Sequence, residues 1–382
     1  MQKTEDRQGI VISGLACLDL VLYCRSHLKH REDLAIVDKN EYSAGGPTSH
    51  VSKSIRRLGI DISVMTALGD DTNGETLLRL WKEAGIDTQY VGRLNNVGTS
   101  LSTLPVYPDG KRAIYFCLGS NGVLTWPDVF NDANLEVLKT RKLVHFGYPP
   151  LMPKIQGQAL GDCMKAVRRT GATVSLDTTC CNNEAEHKAM LRPAFPYVDI
   201  FVPNLDEAAT LAGKLCELMT RVEQLSRKSG DTVIIEDVVR PDEIIEIGEQ
   251  LLGEGIAIVA ITLGPNGAYV CTGSTERISQ LCIAPKDAKK WANKRVYYPT
   301  FMEKGRANAT GAGDAFAGGF LAALCETDMT MEQAVEFANA VGTYHVDMAR
   351  KVAPMAEMLA ALPGLERKIP KNELLMKMMK AG

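Results

Sequence analysis

The sequence predicts an α/β fold in which buried strands alternate with helices. Apolar runs such as 10–15 and 255–263 are typical of strands that are covered on both faces. Several of these runs are followed by a glycine-containing turn and then by a helical pattern. A third observation is the uncharged stretch after Asp314, in which Phe316, Phe320 and Leu324 recur every four residues. This spacing indicates a buried helix.

The first part of the chain is divided by clear turn signals. Pro47 at a first helical turn and Gly59 just after the last turn delimit one helix. Strict alternation on both sides of the turn 108–110 predicts a hairpin. We expect a strand at 10–15, strands of a small appended sheet in 21–44, a helix from 47 to 58, a strand at 62–68, a helix at 75–84, and a hairpin of 100–107 with 111–117.

The strand and helix alternation resumes after the hairpin. Residues 216–242 and 283–306 fit it poorly because they are charged or mixed, and we interpret them as insertions or surface elaborations. We expect strands at 143–147, 172–177, 199–203 and 255–263, a further strand after the turn 265–267, and helices at 154–170, from 207 onwards, 331–348 and 354–361, with a terminal helix or tail at 368–382.

The stretch Thr310-Gly311-Ala312-Gly313-Asp314 is the strongest candidate for chemistry. Its two glycines leave backbone N–H groups uncovered at the start of a buried helix, where the helix dipole attracts anions. Asp314 then lies where it can accept a proton from an alcohol that attacks a bound phosphoryl group. We expect the helix dipole to lower the pKa of its carboxyl. The alternative is that Asp314 only favours the helix dipole and that the glycines only turn the chain.

Other polar residues follow predicted strands. Asp19 comes shortly after the first strand, at the edge where α/β sheets bind ligands, although it is equally suited to capping a turn. Gly45 and Gly46 precede a helix and allow a ligand to approach the backbone; the alternative is a plain loop. Asn204 opens the helix after the strand at 199–203 and is suited to capping it.

Composition excludes several classes of protein. A net charge of −3, spread without long runs, gives no electrostatic signature of nucleic-acid binding. The sequence shows no signal peptide and no stretch long enough to span a membrane, so we expect a cytoplasmic enzyme. Ten scattered cysteines without a Cys-x-x-Cys pair, and histidines without a His-x-x-x-His pair, do not predict a disulfide framework or a zinc site.

In their order along the chain, these motifs resemble the ribokinase-like carbohydrate kinases of the phosphofructokinase-B family. The resemblance spans about residues 10–365. The motifs are Gly14 with Asp19, Gly45-Gly46 before a helix, Gly69-Asp70-Asp71 with Gly74, Asn204-x-x-Glu207, Thr262-x-Gly264 with Gly267, and Thr310-Gly-Ala-Gly-Asp314. It implies a single domain over 1–382 with a doubly wound, mostly parallel sheet, and a small β lid formed near 16–44 and 99–120.

The resemblance also implies roles for these residues in the ATP-dependent phosphorylation of a hydroxymethyl group on a small sugar or sugar acid. Asp314 would be the base, and the amides of Gly311, Ala312 and Gly313 would bind the phosphoryl charge. The implied sugar-binding residues are Asp19, Gly45, Gly46 and His50. The implied nucleotide-binding residues are Thr262, Gly264, Gly267 and Asn339. Asn204 and Glu207 would hold Mg²⁺ through water.

Two departures from the family bear on specificity. The family usually has asparagine at the position of His50, so the sugar bound by this chain is expected to be unusual. It often has aspartate at the position of Asn308, near a monovalent-cation site, so activation by K⁺ is left open. A homodimer formed through the lid is also implied, because family members often pair there and the segment 99–118 leaves a strand edge to cover.

Competing functions remain at this stage. A Rossmann dehydrogenase is disfavoured because no Gly-x-Gly-x-x-Gly follows the first strand, and no P-loop motif is present. A nucleoside kinase would need an aromatic wall against the base, for which Tyr23, Tyr115 and Phe116 are candidates. A sugar-binding relative without catalysis is the third possibility, since a protein can keep its fold after it has lost its catalytic activity. The retention of Asp314 together with its glycines argues against this last alternative.

Overall fold

The computed structural model describes residues 7–27, 34–179, 183–306 and 309–380. Within them, the strands are β1 (Ile10–Gly14), β2 (Cys17–Cys24), β3 (Val37–Gly45), β4 (Ile62–Gly69), β5 (Asp87–Leu94), β6 (Leu101–Val106), β7 (Tyr115–Cys117), β8 (Leu143–Gly147), β9 (Thr173–Leu176), β10 (Ile200–Phe201), β11 (Ile258–Thr262), β12 (Ala268–Thr272) and β13 (Arg295–Tyr298).

The α-helices of the described residues are α1 (Pro47–Arg57), α2 (Thr72–Glu83), α3 (Gly119–Val123), α4 (Trp126–Val129), α5 (Asp132–Leu138), α6 (Gln158–Arg169), α7 (Glu184–Leu191), α8 (Leu205–Ala212), α9 (Leu215–Ser229), α10 (Ile235–Val238), α11 (Pro241–Gly253), α12 (Thr275–Ile278), α13 (Ala312–Glu326), α14 (Met331–Val346) and α15 (Met355–Ala361). No helix in the described part of the chain is long and apolar enough to cross a bilayer.

The main sheet has the strand order β13-β12-β11-β10-β9-β8-β1-β4-β5 among the described residues. Its strands from β11 to β5 are parallel, and β12 and β13 extend it in antiparallel fashion. β1 has β4 as its neighbour on one side and β8 on the other, so the strand order reverses at β1. Ligands bind in such sheets at the carboxyl ends of the strands where the order reverses.

Both faces of the main sheet are covered. In β1, Ile10 and Ile12 belong to one hydrophobic core, whereas Val11 belongs to a second core on the opposite face. This follows from the alternation of side chains along a strand. The predicted fold class, a mostly parallel sheet flanked by helices, is confirmed.

A small second sheet has the order β3-β2-β6-β7. The predicted hairpin is its β6 and β7, which pair in antiparallel fashion, while β2 lies parallel to β6 and antiparallel to β3. These four strands lie in the segments expected near 16–44 and 99–120, with β3 ending one residue later, at Gly45. The small sheet itself is therefore confirmed, and its action as a lid remains a prediction.

Helix α13 is buried on all sides, as its uncharged sequence predicts. Every residue from Asp314 to Leu324 is buried. A Cβ atom on Gly318 would lie 2.8 Å from the Cβ of Ser54 in α1, and one on Gly319 would lie 2.8 Å from the Cβ of Val341 in α14. The two glycines thus allow α1 and α14 to approach closely, which fixes the start of α13 in the core.

Three helices begin two or more residues away from their predicted starts. α8 begins at Leu205 rather than 207, because the Asn204 side chain accepts the Glu207 N–H and caps the helix. α2 begins at Thr72, three residues earlier than expected, because the Asp71 side chain accepts the Gly74 N–H and caps the helix. α6 begins at Gln158 rather than 154, because Gly157 precedes it with a positive φ of 57°.

The interpretation of 216–242 and 283–306 as insertions or surface elaborations is wrong in part. The second segment contains β13, an edge strand of the main sheet that buries Val296 and Tyr297. The first contributes α9, which buries Leu218 and Val222. Charged neighbours obscure these short amphipathic stretches in the sequence.

Candidate active site

The candidate residues lie near the carboxyl ends of main-sheet strands, in the small sheet, and on the helices α1, α8, α13 and α14. At their centre is the start of α13, whose N-cap residue is Gly311 with a φ of 73°. No side chain caps this helix, and among the described residues no hydrogen bond uses the amide N–H of Gly311 or Gly313. The two amides thus remain available at a site that favours anions.

Ala312 differs from this prediction. Its amide N–H donates to the carbonyl oxygen of Ala309 at 3.2 Å, a bond that tightens the turn before the helix. An amide that already has an intramolecular acceptor is not available to a ligand without breaking that bond. The amides of Gly311 and Gly313 are therefore the better candidates for binding a phosphoryl group, and the binding itself stays a prediction.

Asp314 is only 5% exposed, and its Oδ1 has no hydrogen-bond partner among the described residues. Burial raises the pKa of this carboxyl to about 7. From the sequence we expected the helix dipole to lower it, but the loss of water around the carboxylate outweighs the dipole. An unpartnered carboxylate in the interior is costly, which is typical of a functional group.

Two further carboxyls lie close enough to Asp314 to interact with it electrostatically. Burial, and then the charges of Glu207 and Asp314, raise the pKa of Asp177. The sequence analysis did not assign Asp177 to the site. Its position directly after the buried strand β9, equivalent to the argument made for Asp19 after β1, was the available signal.

Asn204 and Glu207 form a reciprocal capping box at the start of α8. The Asn204 side chain accepts the Glu207 N–H, the Glu207 carboxylate accepts the Asn204 N–H, and both distances are 2.9 Å. The capping role considered for Asn204 is confirmed. No cluster of three or more His, Cys, Asp or Glu side chains with metal-binding geometry exists in the described part of the chain.

The four predicted nucleotide residues lie together around one cavity of about 340 Å³. Gly313 also lines it, so the cavity meets the start of α13. The other wall residues used below are Phe316, Thr300, Glu303 and Lys368. The predicted nucleotide residues that line the cavity are Thr262, Gly264, Gly267 and Asn339.

Gly267 and Asn339 also have structural roles in the cavity wall. A Cβ atom on Gly267, where φ is 105°, would overlap the carbonyl oxygen of Tyr298. The Asn339 amide donates to that same oxygen at 3.0 Å. Both residues thereby hold the end of β13 against the cavity.

Asp19 lies inside β2 rather than at the end of β1, and it pairs with Ser43 and Ser102 on the neighbouring strands. The alternative that it caps a turn is therefore wrong. Its carboxylate lies against Gly45, where any Cβ atom would overlap it. Burial raises the pKa of Asp19, while the charges of Lys53 and Arg112 act in the opposite direction.

His50 lies near Gly311 at the start of α13. An ideal Cβ atom on Gly311 would lie 3.8 Å from His50 Cγ and 3.1 Å from Nε2 of His345. Burial, and then the nearby charges of Lys53, His345 and Arg112, lower the pKa of His50 to about 3. His50 is therefore a neutral hydrogen-bonding group at neutral pH.

The structure adds basic residues that the sequence analysis missed. Arg112, in the loop between β6 and β7, donates to the Thr310 hydroxyl. Lys53, one helical turn after His50, donates to the Ala44 carbonyl at 2.9 Å. Helical spacing from His50 was a signal for Lys53, but no local pattern indicates that Arg112 reaches a residue 198 positions away. Asn308 lies outside the described residues, so the monovalent-cation site stays a prediction.

Comparison with known proteins identifies one matching family and several relatives. The pfkB family carbohydrate kinases match residues 7–349. The ribokinase of Staphylococcus aureus is 23% identical over 333 residues, which are 86% of this chain and 90% of that protein. The pseudouridine kinase of Arabidopsis thaliana is also 23% identical, over 80% of this chain and 83% of that protein.

Solved structures share the fold at low sequence identity. The ribokinase of Arabidopsis thaliana complexed with ribose and ATP has a TM-score of 0.67 and 19% identity, with 98% of this chain and 100% of that chain covered. The ribokinase of Thermotoga maritima has a TM-score of 0.62 and 19% identity, with 98% and 99% covered. At this level of identity the likeness supports the fold alone.

The raised pKa of Asp314 predicts that Asp314→Asn stabilises the protein in a pH-dependent way. The folded-state pKa of about 7 exceeds the unfolded-state pKa of about 3.9. The parent protein therefore loses stability as pH rises from about 4 to 7, because over this range the carboxyl ionises in the unfolded state but stays protonated in the folded state. The neutral amide avoids this cost. We expect a gain of about 2 to 4 kcal/mol in the free energy of unfolding at about pH 8, and a smaller gain at about pH 5.

Denaturant unfolding of the variant and the parent at several pH values measures this difference. Asp61→Asn is the matched control, since the Asp61 side chain is 96% exposed. A gain for Asp314→Asn that is the same at every pH, or no gain at all, would contradict the assignment of a buried, high-pKa carboxyl.

Proposed function

This chain belongs to the pfkB family of carbohydrate kinases, and on that basis we propose that it transfers the terminal phosphoryl group of ATP to a hydroxymethyl group of a small sugar or sugar acid. The observation that carries the proposal is the environment of Asp314. A buried carboxylate oxygen without a partner follows directly after Gly313, which lines the neighbouring cavity.

Asp314 is the proposed general base. Its carboxylate accepts the hydroxyl proton while the sugar oxygen forms a bond to phosphorus and the bond from that phosphorus to the leaving oxygen of ADP breaks. A pKa of about 7 leaves a substantial fraction ionised at neutral pH and makes the carboxylate a better proton acceptor than an ordinary aspartate. The raised pKa thus suits the base role.

The amides of Gly311 and Gly313 would bind the phosphoryl oxygens. Both amides lie at the positive end of α13, and Gly313 has open space where a side chain would otherwise stand. Fixed dipoles aimed at developing charge lower the barrier without reorganisation during the reaction.

The cavity beside Gly313 suits a nucleotide. Its volume of about 340 Å³ falls in the lower range of small-molecule sites. Phe316 and Pro265 give it apolar walls, while Gly264 and Gly267 expose backbone near the start of α13. Thr262, Gly264, Gly267 and Asn339 are the proposed nucleotide contacts, and Asn339 would act mainly by holding the end of β13.

The acidic groups around Asp314 fit a divalent cation held through water. Asp177 and Glu207 have raised pKa values, chiefly because they are buried and also because negative charges lie nearby, so a cation between them would be favoured. Mg²⁺ bound with ATP would neutralise phosphate charge and orient the phosphoryl group. Asn204 and Glu207 cap α8, which favours contact through water over direct coordination.

Asp19, the Gly45-Gly46 loop and His50 are the proposed sugar contacts. Asp19 and Gly45 belong to β2 and β3 of the small sheet, and His50 lies near Gly311 at the start of α13. An acceptor hydroxyl must be held near that start if its oxygen is to reach the phosphoryl group. The bond from Arg112 to Thr310 connects the hairpin of the small sheet with that loop. This contact supports the small sheet as a lid that excludes water, which would otherwise compete with the sugar.

A nucleoside acceptor is less well supported. Tyr23 is 39% exposed and Tyr115 is 64% exposed, so neither forms a closed aromatic wall. Measuring ADP release over a panel of aldoses, ketoses, keto-sugar acids and nucleosides identifies the acceptor, and turnover of nucleosides alone would replace the sugar assignment.

Asp314→Asn is expected to lower kcat for the best sugar of that panel by about 10²- to 10⁴-fold, because the amide cannot accept the hydroxyl proton. Equilibrium binding of ADP should change little. In the parent, log kcat should rise with pH up to about 7 and then level off. Turnover by the variant at the parent rate, with Asp61→Asn as the control, would contradict the base assignment.

His50→Asn is expected to change the choice of sugar more than the binding of nucleotide. The imidazole is neutral and lies near Gly311, beside the proposed acceptor site, so replacing it would alter hydrogen bonding to the sugar. We expect the ratio of kcat/KM between two accepted sugars to change by about tenfold or more, as one hydrogen bond is worth about 1 to 2 kcal/mol. Equal effects on sugar preference and on ADP affinity would place His50 elsewhere.

A further inference from the structure

The segment 365–375 follows the residues that the family comparison matches, which end at 349. It nevertheless contributes Lys368 to the wall of the nucleotide cavity. We refer to residues 365–375 as the C-terminal strap.

The strap is bound to the chain that follows β13. Phe301 and Arg367 form an isolated antiparallel bridge. Lys368 N–H donates to the Thr300 carbonyl at 2.8 Å, and Met302 N–H donates to the Glu366 carbonyl at 2.8 Å. These backbone bonds fix the position of Lys368 relative to the cavity.

Beyond Lys368 the strap crosses to the other side of the cavity rim. Lys371 N–H donates to the side-chain oxygen of Asn266, which lies between Gly264 and Gly267. The Asn372 amide donates to the carbonyl oxygens of Glu236 and Val239, at 3.1 and 2.7 Å. With Leu375 fully buried as well, the strap is anchored on both sides of the cavity.

Lys368 is paired with Glu303, which lines the same cavity. The ammonium group lies 2.9 and 3.0 Å from the two carboxylate oxygens, and the Lys368 and Glu303 side chains are 28% and 19% exposed. The pair presents an acceptor and a donor in one place, since the carboxylate has unused lone pairs and the ammonium has a third N–H.

The topology places this pair away from the phosphoryl-transfer centre. Asp314 interacts with Asp177 at the end of β9, whereas Thr300 follows β13, four strands farther along the main sheet. Asp314 does not line the cavity, whereas its neighbour Gly313 and the Lys368–Glu303 pair both do. A nucleotide whose phosphates lie near Gly313 would therefore extend its nucleoside toward Lys368.

We propose that Lys368 and Glu303 recognise the nucleoside part of the phosphoryl donor, and that the C-terminal strap holds them there. This assignment adds nucleoside contacts to the proposed function and rests on that function. Glu303 accepts hydrogen bonds from ribose hydroxyls, and Lys368 donates to a neighbouring hydroxyl or ring nitrogen. Both are positioning residues for the donor and take no part in the chemical step.

The test is equilibrium binding of ADP, measured by displacement of a fluorescent ADP analogue. Lys368→Met and Glu303→Gln are each expected to weaken ADP binding by about tenfold, the scale of a hydrogen bond to a charged group. The KM for the sugar should stay within about twofold. Lys294→Met is the matched control, because Lys294 and Glu332 form a 2.9 Å pair of similar exposure that does not line this cavity.

Inorganic tripolyphosphate as a competitor separates a nucleoside contact from a phosphate contact. It should displace the analogue equally well from the parent and from Lys368→Met. Weaker tripolyphosphate binding by the variant would overturn the assignment to the nucleoside. A fall in thermal stability like that of Lys294→Met, without loss of ADP affinity, would show that the pair is only structural and would also overturn it.

The outcome for the parent separates this inference from the proposed function. If the parent binds no ADP and phosphorylates no sugar, the proposed function fails. If the parent does both and the Lys368 and Glu303 variants bind ADP as tightly as the parent, only the inference about the strap fails.

Discussion

The site depends on keeping the Asp314 carboxylate out of water in the first turn of α13, whose residues from Asp314 to Leu324 are buried. Burial removes its solvation and raises its pKa to about 7, and no described residue supplies a hydrogen bond to its Oδ1. The packing of α13 against α1 and α14, which Gly318 and Gly319 make possible, holds the carboxylate in this position despite the free-energy cost of burying it. The fold thus holds Asp314 as a destabilised carboxylate, which is common where a group must react.

The architecture brings three distant parts of the chain to that carboxylate. The strand order of the main sheet reverses at β1, where a crevice opens. The strands from β9 to β11 are followed by acidic and glycine-containing turns. The hairpin of the small sheet contacts Thr310 through Arg112. Arg112 donates to Thr310 and His50 lies near Gly311, so the proposed sugar contacts and the proposed phosphoryl-binding loop share one wall. This sharing gives a physical route by which closure of the small sheet would affect the reacting groups.

Much of this arrangement could be predicted from local sequence. Thr262, Gly264, Gly267 and Asn339 line one cavity, as the resemblance to the family implies. The buried helix α13 and the hairpin of the small sheet were also predicted from the sequence. Short motifs of this kind carry their own conformational signal.

Features that depend on contacts between distant residues could not be predicted in this way. The bond from the Ala312 amide to Ala309, the approach of Arg112 to Thr310, and the pairing of Lys368 with Glu303 join segments whose proximity only the fold establishes. The pKa of Asp314 was predicted in the wrong direction, since the helix dipole is visible in the sequence and the extent of burial is not.

The ionisation of Asp314 itself tests the account most directly. Carbon-13 NMR of protein labelled at the aspartate carboxyl carbons, with Asp314→Asn used to assign the resonance, reports its titration. We predict a midpoint near pH 7 for Asp314 in the absence of ligand. A midpoint at or below about pH 4, the value of a solvated aspartate, would contradict the buried base on which this account depends.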